Sequence, residues 1–112
     1  NVHHHDKAII PGDKLEVDIL VENLHTVIEV DGPSHVLPIW GEERLEKTKK
    51  ADEQKNGLLL SGGYVIIRLQ CLAKTTTQAV MRKAKDLILS ELSKISKCFP
   101  EEGKRLIFLE VE

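Results

Sequence analysis

At 112 residues, 41% hydrophobic and 30% charged, the chain has the composition of an ordinary globular domain, with room for one core rather than two. A formal net charge of -2 excludes a domain whose whole task is coating nucleic acid, so any such contact rests on local positive charge or on a segment outside this chain. No apolar run nears the ~20 residues that span a bilayer, no signal-peptide pattern occurs, and Cys71 and Cys98 lack CxxC spacing; a reducing, cytoplasmic (intracellular) setting is expected.

Residues 1–13 begin Asn1-Val2-His3-His4-His5-Asp6 and end on the turn chemistry of Pro11-Gly12-Asp13. They are expected to be a flexible N-terminal segment, with the histidines read as a loose terminus or tag remnant rather than as ligands. Residues 14–112 are expected to form a single domain. Lys14 to Val21 alternates, with Leu15, Val17, Ile19 and Val21 on one side and Glu16, Asp18 and Leu20 on the other, which is strand periodicity. Glu22-Asn23-Leu24-His25 is a short loop and Thr26 to Asp31 a second β-rich run, so an antiparallel hairpin is predicted.

The second run carries a conflict. Glu29 and Asp31 share a strand face with Val27 inside an apolar stretch, and isolated buried charge is costly unless it is paired or holds a cation. The hairpin brings Asp18 near Glu29 or Asp31. At an effective dielectric of ~20, two carboxylates ~4 Å apart repel by about 4 kcal/mol, so such a cluster needs a shared proton or cation. Hard oxygen ligands around an incomplete site suit magnesium or manganese. The alternative is an edge hairpin with solvated acids. Gly32-Pro33 ends the strand and delivers His35 on a loop just past the carboxylates, where it is either incidental or catalytic. Val36 to Trp40 reads as an apolar cover or contact surface.

From Glu42 to about Leu60 the sequence is helical, Glu-rich at its start and lysine-rich later, in keeping with the helix dipole. Leu45, Thr48, Asp52, Lys55 and Leu59 share one face, which puts Asp52 and Lys55 in a stripe that would meet the core; the alternative buried face is that of Ala51 and Leu58. Ser61-Gly62-Gly63 stops the helix. Tyr64 to Leu69 is a strongly apolar, central strand, with Arg68 near its end facing phosphate, a carboxylate of the site, or solvent. After Thr75-Thr76-Thr77 a second helix runs to about Ile95, packing through Met81, Ala84, Ile88, Leu92 and Ile95. Phe99 to Gly103 is a loop and Arg105 to Val111 a last strand. The predicted order is β-β-α-β-α-β, an α/β fold.

Asp18, then Glu29-Val30-Asp31, then a helix and a strand resembles the PD-(D/E)xK nucleases of the restriction-endonuclease-like fold, a mixed central sheet flanked by helices. In that family an Asp on one strand and a D/E-x-K on the next bind a divalent metal, and the middle residue lends its carbonyl. Asp31 stands where lysine is usual. Over about residues 14–70 the chain is more similar to the branch related to very-short-patch mismatch repair endonucleases, which includes homing endonucleases with an E-D-x-H-D set. The resemblance implies a Mg2+- or Mn2+-dependent endonuclease acting on double-stranded DNA. Asp18, the Val30 carbonyl and Glu29 or Asp31 would hold the metal, and His35 would activate water or assist the leaving group. Asp52 would be the final Asp of the set, and Lys55 and Arg68 would hold phosphate. The first Glu of the set has no match, so either the chain is a truncated catalytic domain or Glu16 or Glu29 substitutes. Beyond Lys47, Lys49, Lys50 and Lys55 little positive charge is concentrated, so sequence recognition is expected in another domain or in a homodimer. Glu-Val-Asp-Gly-Pro-Ser-His also resembles the RAP domain, an RNA-associated module on the same fold, which implies the alternative of RNA binding without cleavage.

Overall fold

Two apolar, β-branched runs, Thr26–Asp31 and Val65–Cys71, pair in parallel and form the middle of the sheet. Strands buried on both faces read as near-continuous hydrophobic stretches, and these two do. In the computed structural model, which describes residues 2–4, 7–10, 13–32, 39–71 and 77–111, the strands are β1 (Val2–His4), β2 (Lys7–Ile10), β3 (Asp13–Glu16), β4 (Ile19–Val21), β5 (Thr26–Asp31), β6 (Val65–Cys71) and β7 (Leu106–Val111). The helices are α1 (Glu42–Ser61), between β5 and β6, and α2 (Gln78–Lys97), between β6 and β7. A five-stranded mixed sheet has the order β1-β4-β5-β6-β7, while β2 and β3 form a separate antiparallel pair. The class is α/β.

The hairpin between β4 and β5 is present, antiparallel, with Ile19 opposite Ile28 and Val21 opposite Thr26. A short 3-10 turn over Glu22–Leu24 closes it, and His25 takes the left-handed conformation (φ 49°) that lets the chain reverse. The strand expected from Lys14 to Val21 is interrupted, however. Val17 and Leu20 lie in the same buried cluster although they are three residues apart, which a continuous two-residue alternation forbids. The chain bends at Val17–Asp18, so Asp13–Glu16 pairs with Lys7–Ile10 and only Ile19–Val21 joins the main sheet. The stretch expected to be a flexible segment thus contributes β1 and β2.

Strand alternation sends the two faces of the sheet to different helices. Val27 and Ile66 pack with Val17, Leu20, Tyr64 and Leu59 of α1. Ile28, Val65 and Ile67 pack with Val21 and with Ile95 of α2, joined by Ile88 and Leu92. Thr77 caps α2, its Oγ1 accepting from Val80 N–H at 3.2 Å. Met81 stays 60% exposed because the C-terminal half of α2 makes the packing contacts. Helix α1 ends where Gly63 turns to φ 83°, a conformation costly for any residue with a Cβ. That reversal feeds Tyr64 directly into β6.

Candidate functional site

On the face covered by α1, the apolar floor gives way to a polar layer toward the C-terminal ends of β5 and β6. Side chains at 27, 29 and 31 of β5 point to this face. Val27 is apolar and fully buried, and the next two are Glu29, 6% exposed, and Asp31, 4% exposed. The helix changes in step. Leu59 is buried against the floor, and in the two turns before it Lys55 meets Glu29 while Asn56 and Asp52 meet Arg68. Ala51 and Leu58 are exposed, so the stripe through Asp52 and Lys55 is the one turned to the sheet.

Asp18 and Glu29 clasp each other across the hairpin. The register that sets Ile19 against Ile28 sets Asp18 against Glu29. Asp18 N–H donates to Glu29 Oε1 at 3.3 Å, and Val30 N–H donates to Asp18 Oδ2 at 2.9 Å. In a strand the N–H and C=O of one residue face the same edge, so the Val30 carbonyl shares the Asp18 edge. Lys55 Nζ from α1 stands 3.0 Å from Glu29 Oε1. Burial pushes the Glu29 carboxyl above its ordinary value; Lys55 opposes that shift through its hydrogen bond and charge, and the Asp18 charge adds to it.

Asp31 belongs to a second, deeper group. Arg68 lies opposite Glu29 in the parallel register of β5 and β6, and its side chain reaches two residues on to Asp31, with Nη1 to Oδ1 at 2.9 Å. Its Nε donates to Asn56 Oδ1 at 2.7 Å, and Asp52 Oδ1 lies 3.7 Å from Nη1. Arg68 is 2% exposed, so the residue read as a phosphate holder turns its guanidinium inward. The acids expected around one spot are therefore divided. Glu29 takes Lys55 and accepts from Asp18 N–H, whereas Asp31 and Asp52 face Arg68.

His35 lies outside the described residues. Asn56 is the contributor that sequence reasoning passed over. It stands four residues after Asp52 and three before Leu59, so helical spacing alone places it on the buried stripe. Among the described residues, no three His, Cys, Asp or Glu side chains gather as a metal cage. The donor set is smaller: two carboxylates and one peptide carbonyl. Magnesium keeps several of its waters and is usually held by one or two carboxylates, so Asp18, Glu29 and Val30 fit it in number and hardness.

No family model matches this chain, and no curated protein or solved structure is found to be similar to it.

Proposed function

We propose that the chain is a magnesium-dependent DNA endonuclease domain with a restriction-endonuclease-like core, hydrolysing phosphodiester bonds at Asp18 and Glu29. The observation that carries this reading is Lys55, whose Nζ is 3.0 Å from Glu29 Oε1, the oxygen that also accepts from Asp18 N–H. The strand has Asp31 where the PD-(D/E)xK pattern has lysine, and α1 supplies an ammonium group at the acid pair from a different element. The acid-acid-lysine set is assembled in space rather than along one strand.

In this reading Asp18, Glu29 and the Val30 carbonyl orient the cation and its waters. When bound, the cation offsets charge developing on the phosphate and acidifies a bound water. Lys55, paired with Glu29, would stabilise charge developing on the phosphate. His35, an imidazole, would return a proton to the leaving group. Asp31 acts one step back: it is paired with Arg68, which leaves Lys55 as the cation of Glu29. The near-neutral chain leaves recognition of a long site to another domain or a second copy.

The test is nicking of supercoiled plasmid by the purified domain with magnesium and with EDTA, alongside Asp18→Ala. Chelator-sensitive nicking lost in Asp18→Ala supports the reading. Nicking that survives either change rejects it, and RNA binding with no cleavage would indicate the RAP-type module.

A further inference from the structure

At the C-terminal ends of β5 and β6, next to the acid pair, the α1 face holds a cavity of about 240 Å³. Its walls set the carboxylates of Asp31, Asp52 and Glu53 against the cations of Lys49 and Arg68. That near balance favours neither a free anion nor a metal ion. The amides of Asn56 and Gln70 add donors and acceptors, and Phe108, 56% exposed, adds an aromatic surface. Phe108 is paired with Arg68 in the β6–β7 register, so both lie on this face of the sheet. Arg68 supplies a second, independent sign: it is 2% exposed, yet Nη2 is buried with no hydrogen-bond partner among the described residues. A buried guanidinium N–H without an acceptor is costly, and a bound acceptor removes the cost.

The occupant these walls suit is neutral, flat, and carries both donors and acceptors at its edge. The cavity is smaller than the ~300–1,000 Å³ of drug-sized sites, which suits a single heterocycle. Asp31, on its wall, stands two residues from Glu29 along β5, a rise of ~7 Å, about the reach of one nucleotide. We propose that the cavity receives a nucleobase of the substrate strand, from a nucleotide adjoining the phosphate held at Asp18 and Glu29. This rests on the nuclease reading. Phe108 stacks on the base, and the side chains of Arg68, Gln70 and Asn56 read its edge, as aromatic platforms and amides do for unstacked bases.

The cut positions of the wild type are mapped first, by sequencing nicked plasmid ends. Binding in EDTA is then measured on duplexes carrying an abasic nucleotide at each position flanking the cut, for wild type and Phe108→Ala. The expected result is one position at which base removal weakens wild-type binding about ten-fold or more, but weakens Phe108→Ala by no more than about two-fold. Gln70→Ala is expected to relax the base preference at that same position. Circular dichroism confirms that both variants fold. Equal losses in wild type and Phe108→Ala, or no loss at any flanking position, overturn the proposal and leave the nuclease reading intact. A wild type that cuts no DNA overturns both.

Discussion

Arg68 Nη1 and Asp31 Oδ1 form an ion pair of 2.9 Å in which both side chains are 5% exposed or less. The pair ties the last residue of β5 to β6, and through Asn56 to α1. Removing one partner of a buried pair leaves the other charge without compensation, at a cost of about 3–5 kcal/mol. Arg68→Ala is therefore expected to lose that much unfolding free energy, seen as a lower urea midpoint, and Asp31→Leu combined with Arg68→Met to recover most of it. A single variant with the wild-type midpoint would show that the pair does not hold this end of the sheet.

Glu29 contributes a pH-dependent part of the stability. Its unfolded value is the ordinary 4.5, and burial raises the folded one. The folded state thus holds the proton more tightly, and the stability gained is full below pH 4.5 and lost as pH rises through the raised value. Glu29→Gln has no such loss. It is expected to be more stable than wild type at pH 7.5, within the ~0.5–2 kcal/mol common for relieving a strained site residue, with that advantage gone at pH 4. Denaturant unfolding at the two pH values checks this. A less stable Gln variant at pH 7.5 would mean that Lys55 outweighs burial.

Lys55 and a divalent cation compete for Glu29 in the proposed site. Lys55→Met is expected to bind manganese more tightly than wild type, because its ammonium no longer neutralises the carboxylate. The same variant is expected to nick plasmid at least ~100-fold more slowly, the scale of a lost charge-stabilising group. Manganese titration followed by water-proton relaxation gives the affinity. Unchanged affinity would separate Lys55 from the metal ligands.

Asp18 carries two separable duties, since its Oδ2 accepts from Val30 N–H at 2.9 Å. An asparagine can still accept that bond, whereas alanine leaves the donor without it. Asp18→Asn is expected to keep wild-type stability while losing metal binding, and Asp18→Ala to lose about 1 kcal/mol in addition. Calorimetric metal titration and thermal melts, run in parallel, distinguish the two duties. Equal melting of both variants would assign no structural weight to the bond.

Much of the scaffold was legible from local pattern. The hairpin of β4 and β5, both helices, the central strand after Gly63 and the last strand all follow from periods of 2 and 3.6 residues and their terminators. The break at Val17–Asp18 was not legible, because the residues on both sides keep alternating. The chain bends there to serve two sheets, a choice made by pairing with Lys7–Ile10. Met81 continues the periodic stripe of α2 but is exposed, since periodicity does not say how far the sheet beneath it extends.

By itself the sequence determined which polar residues would share a face: Glu29 with Asp31 on β5, and Asp52 with Lys55 on α1. Those placements depend only on the repeat of a strand or a helix. Only the tertiary structure decided which charge meets which. Lys55 goes to Glu29, and Arg68, a position 37 residues after Asp31, goes to Asp31. That choice depends on the parallel register between β5 and β6 and on how deep α1 seats against it, and no local repeat encodes either one.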